Sequence, residues 1–166
     1  MYSIDDNFTT TFMTILNRLP FFPIYYNGKT KFMPIHCSDL TDVILEVIDK
    51  EIKSEIIECG GPEVITFKEI ISTLLTLIEK KRLILPMPLF MGNLIAKFME
   101  LLPNPLLTTD QLKLLNYDNV FSNKYLTNSK IGVPGTKIFH DEVKKYCYMW
   151  KENGQFSTDV YKKTKF

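Results

Sequence analysis

The chain has 166 residues, 45% of them hydrophobic and 23% charged, which fits one globular domain and excludes disorder of the whole chain. Lys+Arg 20 against Asp+Glu 19 leaves a net charge of +1, too weak a global field to steer the chain to nucleic acid or to an anionic membrane. All the basic residues are lysine except Arg18 and Arg82, so few side chains offer the planar two-point grip on phosphate that arginine gives.

Asp5-Asp6-Asn7 marks a turn or helix start. Phe8, Phe12, Ile15, Leu16 and Leu19 follow at helical spacing, and Pro20 ends that helix. Asn27-Gly28 between aromatic alternating runs predicts a hairpin over 24–32, because both turn residues tolerate positive φ. Ser38 or Asp39 can cap a helix through Leu40, Val43, Ile44 and Val47. Glu55 to Cys59 reads as a strand stopped by Gly60-Gly61-Pro62. Thr66 and Glu69 form a capping box that opens a helix carrying Ile70, Ile71, Leu74, Leu75 and Ile78.

Arg82 to Leu85 reads as a short strand and Met87 to Leu101 as a helix bounded by Pro103 and Pro105. The apolar run from Leu83 to Leu102 holds Pro86, Pro88, Lys97 and Glu100, so it is not a membrane-spanning helix, and a peripheral membrane contact or a buried helix remains. Thr108 to Gln111 is a second capping box. A turn at Val133-Pro134-Gly135-Thr136 precedes a last helix to Trp150, and 151–166 is a polar, frayed tail. Helices dominate, and the repeated βαβ crossovers of a doubly wound sheet are missing.

The glycine patterns that cradle dinucleotide or nucleotide phosphates, Gly-x-Gly-x-x-Gly and Gly-x-x-x-x-Gly-Lys, do not occur. Gly60-Gly61-Pro62 has the wrong spacing, and Pro62 lacks an N–H, so a strand-ending turn is the better reading. Tyr25…Lys29 and Tyr161…Lys165 match Tyr-x-x-x-Lys, but the first straddles the Asn-Gly turn and the second lies in the tail, so neither sits on the helix that spacing needs.

At His36-Cys37-Ser38-Asp39 two readings stand: a thiol nucleophile with His36 as base, or a capped helix beside a cleft-lining histidine. Neighbours on a strand point to opposite faces, which favours the second. Lys29, Lys31 and Phe32 flank the turn, either as an anion-binding edge or as solvated side chains. Phe21, Phe22, Tyr25 and Tyr26 read as core rather than a cofactor stack. The odd count of cysteines, Cys37, Cys59 and Cys147, has no Cys-x-x-Cys pair, which favours a reducing compartment over a disulfide or zinc framework. No catalytic residue and no metal ligand is assigned.

A longer pattern joins these pieces. Tyr2-Ser3, Asp6-Asn7-Phe8, the run Gly28 to Leu40, Glu58-Cys59-Gly60-Gly61-Pro62-Glu63 with Thr66-Phe67-Lys68-Glu69, Leu85-Pro86-Met87-Pro88, Leu101-Leu102-Pro103, Thr108 to Leu112 and Asp118-Asn119-Val120 resemble the C-terminal half of extended, atypical short-chain dehydrogenase/reductases. They look like the epimerase-like subgroup that includes the reductase-like accessory subunit of respiratory complex I. The resemblance covers residues 1–150.

It implies an α/β fold: the α-rich C-terminal portion of a Rossmann-like domain, with few short strands and an incomplete sheet. It implies that the dinucleotide half, with its tyrosine–lysine helix, lies upstream of residue 1 and makes most contacts to NAD(P), leaving none expected for this chain alone and its cofactor-binding residues unassigned. It places Asn7, Phe8, Lys29, Phe32 and His36 near the substrate cleft, with Asp39 mainly capping its helix.

The function implied is a non-catalytic portion of a nucleotide-binding, reductase- or epimerase-like protein of the complex I accessory type. The alternatives are the substrate-binding half of an NAD(P)-dependent epimerase or reductase active only with its Rossmann half, and a stand-alone interaction module. The partner expected is that half, or a protein covering an apolar face, with respiratory complex I as the assembly. The location expected is the cytoplasm or a membrane periphery on the reducing side, in the bacterial cytoplasm or mitochondrial matrix. The chain alone is expected to self-associate through an exposed apolar face.

Overall fold

A computed structural model describes residues 1–101 and 108–156. In chain order these form α1 (Thr9–Arg18), β1 (Phe21–Ile24), β2 (Lys31–Phe32), α2 (Cys37–Asp49), β3 (Ile57–Glu58), β4 (Ile65–Thr66), α3 (Phe67–Leu77), β5 (Leu83–Pro86), α4 (Leu89–Met99), α5 (Thr109–Leu114), β6 (Leu126–Thr127) and α6 (Phe139–Lys144). Single 3₁₀ turns stand at Tyr26–Gly28 and Cys147–Trp150. The strands pair two by two: β1 with β5 in parallel, β2 with β4 antiparallel, and β3 with β6 in parallel. The fold is therefore mixed α/β and helix-rich, and among the described residues its strands form no continuous sheet.

α3 is the central element. Its capping box closes as the sequence predicts: the Thr66 N–H and hydroxyl each donate to Glu69 at 2.7 Å, and the Glu69 N–H donates to the Thr66 hydroxyl at 3.2 Å. Ile70, Ile71, Leu74, Leu75, Leu77 and Ile78 are buried along it. Against them pack Met13 and Leu16 of α1, Phe22 and Ile24 of β1, and Phe139, Val143, Tyr146 and Trp150 from the C-terminal segment. Trp150 donates its indole N–H to the Thr14 hydroxyl at 3.0 Å and lies against Phe156. A smaller cluster of Tyr25, Ala96 and Leu112 hangs α4 and α5 on the end of β1.

The predicted hairpin does not form. β1 and β2 each take another partner, although Asn27 and Gly28 do adopt positive φ, 53° and 66°, in the 3₁₀ turn between them. The reason lies in β1 itself. Pro23 lacks an N–H, and the apolar residues of the strand find a parallel mate in Leu83–Pro86 rather than a polar return strand.

Asp39 does not cap α2. The cap is His36, whose ring Nδ1 accepts the Ser38 N–H at 3.2 Å. The last helix is also shorter than expected. α6 spans only Phe139–Lys144, because residues 133–138 are spent reaching α2 and Tyr2. At the other end, Lys151–Phe156 is not loose: Lys151 pairs with Glu79 at 2.6 Å, and Asn17 donates to the Phe156 carbonyl at 2.8 Å. The expected helix stops at Pro103 and Pro105, the side chain of Gln111 and residues 157–166, with Tyr161 and Lys165, lie outside the described residues.

Candidate functional site

Asp6 organises the first wall of the candidate cleft. Its carboxylate accepts the N–H groups of Ser3, Phe8 and Thr10 at 3.2, 3.2 and 3.0 Å and the Thr9 hydroxyl at 2.9 Å. This ties the entrance of α1 and orients Phe8, whose ring meets Phe12 edge-on at 5.1 Å and Phe32 at 6.3 Å. Phe32 sits on β2 opposite Ile65 and leans on Phe67 at 6.1 Å. Phe8 and Phe32 are both half-buried, so they are brought together as one aromatic wall whose inner side is the core.

Lys29 follows the turn and is exposed, as are Lys31 and Lys68. The Phe67 N–H donates to the Thr30 carbonyl at 2.8 Å, which lays Gly28–Lys31 against the start of α3. The backbones of Lys29, Lys31 and Lys68 therefore lie near one another, next in sequence to the aromatic wall. Asn7 is exposed at the same helix entrance and takes no part in the Asp6 network.

His36 stands apart from this wall. It packs edge-on against Tyr2 at 5.2 Å, and its Nδ1 lies 2.8 Å from the Ser38 hydroxyl. Because Nδ1 accepts the Ser38 N–H, the neutral ring carries its proton on Nε2. No hydrogen bond joins His36 to Cys37 among the described residues, so the thiol–imidazole pair weighed from the sequence does not assemble.

Tyr2 is fully buried and belongs to the same unit. Its backbone donates to Ile35 O at 3.0 Å and accepts from Cys37 N at 3.1 Å, while its hydroxyl donates to the Lys137 carbonyl at 3.1 Å. Burial, reinforced by the neighbouring carboxylates of Glu142, Glu63 and Asp39, holds its phenol far above the usual tyrosine range.

Gly60-Gly61 binds its own chain rather than leaving amides for an anion. The buried Asn128 accepts the Gly60 N–H at 3.2 Å and returns its amide to the Gly60 carbonyl at 3.1 Å and the Val133 carbonyl at 3.0 Å. The Gly61 N–H donates to the Met33 carbonyl, and a Cβ at Gly61 would collide with the Pro34 carbonyl oxygen.

Beside this turn a hollow of about 180 Å³ is lined by Met33, Glu58, Cys59, Gly60, Asn119, Val120 and Phe121. Burial pushes the Cys59 thiol up, so it is an unactivated thiol. Asn128 carries no sequence motif, and its part here, like that of Asn119, comes from hydrogen bonds between segments far apart in the chain, which sequence patterns do not announce.

No group of three or more histidine, cysteine or acidic residues among those described is arranged to hold a metal ion. No described helix is long and apolar enough to cross a membrane. No protein-family model matches the chain, and no curated protein matches it.

Proposed function

We propose that this chain is the substrate-side, non-catalytic portion of an NAD(P)-binding, reductase- or epimerase-like protein, of the type that serves NADH:ubiquinone oxidoreductase as an accessory subunit. The observation that carries this reading is the β1–β5 pair. It is parallel, and it is apolar on both faces: Phe22 and Ile24 point into the core, while Phe21 and Leu83, partners in register, stand 43% and 62% exposed. Parallel strands occur almost only where both faces are covered. The outer face therefore calls for a covering layer, which the other half of a Rossmann-like protein would supply. NAD(P) would be held chiefly by that half.

The test has two arms. The full chain is titrated with NADH and NADPH by calorimetry, and its tagged form is followed on native gels through assembly of the respiratory complex. The expected result is no saturable dinucleotide binding by the chain alone, together with co-migration and a loss of assembled complex when the chain is depleted. Stoichiometric dinucleotide binding or turnover by the chain alone overturns the reading, as does unchanged assembly.

A second reading, the substrate-binding half of an active enzyme, draws on the half-buried rings of Phe8 and Phe32, a surface on which a sugar or nucleoside ring can stack. NAD(P)-dependent turnover on reconstitution with a Rossmann half, abolished by Phe32→Ala, would select it.

A further inference from the structure

α2 carries apolar residues on a side that the fold leaves open. Asp39 and Val43 turn inward, whereas Leu45 and Ile48 stand 59% and 67% exposed. Together with Val133 they line an open groove of about 540 Å³, whose other lining residues are Asp42, Glu46 and Asp49. Both walls of the groove are fixed. Lys50 donates to the Ile131 carbonyl at 2.7 Å, which ties the end of α2 to the facing loop. In that loop Asn128 holds Val133 twice, accepting its N–H on the backbone carbonyl and donating its side-chain amide to the Val133 carbonyl, each at 3.0 Å. A segment that docks here meets a surface already ordered, which lowers the entropic cost of binding.

The free charge on these walls has one sign. No residue that lines the groove is cationic. Lys50, just past the helix, is committed to Glu46 at 2.6 Å and to the Ile131 carbonyl, and Lys53 pairs with Glu51 at 3.7 Å. Asp42 and Asp49 have no ion-pair partner among the described residues. They are one heptad apart, so they fall within about 20° of each other around the helix and about 10 Å apart along it. Leu45 and Ile48 lie between them in sequence, so the apolar pair runs beside the line that joins the two carboxylates.

This arrangement selects among occupants. A second copy laid face to face doubles the unpaired carboxylates and brings no free cation to meet them, and like charges across an interface oppose binding. An anionic bilayer repels the same two groups. A helix with an apolar stripe and with lysine or arginine one heptad apart on its edge satisfies both features at once. Its stripe covers Leu45, Ile48 and Val133, and its cations meet Asp42 and Asp49.

We propose that the groove between α2 and Val133 is the docking site of a basic amphipathic helix from a partner protein. This site stands independently of any relation to reductases, and its test involves no dinucleotide.

The test is fluorescence anisotropy of a labelled synthetic helix, with leucines forming one stripe and lysines one heptad apart beside it, titrated with the full chain. A scrambled peptide of the same composition and a peptide with glutamate in place of each lysine are the controls. The basic helix is expected to bind about tenfold more tightly than either control. Asp42→Asn combined with Asp49→Asn weakens it about fivefold, and added salt weakens the wild-type complex. Leu45→Gln and Ile48→Gln each weaken it about tenfold and keep the wild-type melting temperature, since both side chains are exposed. In amide NMR spectra the shifts on binding cluster on α2 and at Val133.

Absence of binding, equal binding of the three peptides, or binding that the double aspartate variant and Ile48→Gln leave unchanged overturns the proposal. So does a dimer by sedimentation that Ile48→Gln dissociates, which gives the groove to a second copy of the chain. Flotation with phosphatidylserine vesicles that Ile48→Gln abolishes gives it to a membrane and overturns the proposal as well.

Discussion

Asp39 holds Thr136 at both ends of its peptide reach: one carboxylate oxygen accepts the Thr136 N–H at 2.8 Å, the other its hydroxyl at 3.1 Å, and the Lys137 N–H adds a third bond at 2.9 Å. The side chain is 3% exposed, so these donors replace water for a buried charge. Asp39→Ala strands two backbone N–H groups and is expected to cost about 2–4 kcal/mol in urea unfolding. Thr136→Ala removes only the hydroxyl and costs about 1 kcal/mol. An Asp39→Ala variant as stable as wild type would show that the loop finds its bonds elsewhere.

Two buried phenols give the fold an alkaline limit. Tyr2 and Tyr146 are both held far above the ordinary tyrosine range, chiefly by burial, with the Thr9 hydroxyl 2.8 Å away partly offsetting the effect at Tyr146. A phenol raised in the folded state stabilises fully below its unfolded value near pH 10 and loses that contribution as pH rises beyond it. Melting temperature should therefore fall above about pH 10. Phenolate absorbance should show a late fraction that appears together with loss of helix. Titration of all 8 tyrosines as one class with helicity intact would contradict this.

The Thr66–Glu69 box acts at the acid end. Hydrogen bonds from the Thr66 N–H and hydroxyl hold the Glu69 carboxyl below its usual range. A depressed carboxyl stabilises above its unfolded value and loses that stability as pH falls through its folded value. Thr66→Ala should cost about 1 kcal/mol at neutral pH. It should also lessen acid sensitivity, seen as a smaller difference between the two proteins at low pH than at neutral pH. An equal gap at both would separate the cap from the carboxyl.

At the candidate cleft, stability and binding should divide among the residues. Phe32→Ala and Phe8→Ala remove rings that support Phe12 and Phe67, and each is expected to cost about 2–3 kcal/mol. Asn7→Ala and Lys29→Ala change exposed groups and should stay within about 0.5 kcal/mol of wild type. Any ligand effect of Lys29→Ala is then a binding effect. A large loss of stability from it would make Lys29 structural.

Gly61→Ala tests the close approach of two loops. Its new methyl would overlap the Pro34 carbonyl, and the flanking backbone is tied by Asn128 and Met33. A cost of about 1–3 kcal/mol is expected in chemical denaturation.

What could be read from sequence was what is local. The Thr66–Glu69 box, the periodicity of α1 and α3 and the stop at Pro20 depend on residues within one turn of each other, and they stand where expected. The Asn27-Gly28 turn also kept its backbone signature, yet its flanks were drawn to partners far along the chain. Asp39 reads as a cap from its neighbours and became an anchor for Thr136 through a contact 97 residues away. Of the five residues that the resemblance places near a cleft, Phe8 and Phe32 lie ring against ring, a contact that no motif announces, and His36 is turned to Tyr2 by an edge-on contact and a cap that none announces either.

Trp150 is the sole tryptophan of the chain, and it is wedged between Thr14 on α1 and the ring of Phe156. Intrinsic emission therefore comes from one place, the seat of the C-terminal segment on α1. If that segment lifts while α3 keeps its helix, the indole meets water and its spectrum moves to the red before circular dichroism changes. The protein thus contains its own optical gauge for whether residues 147–156 are docked, and no label is needed to watch that step in time.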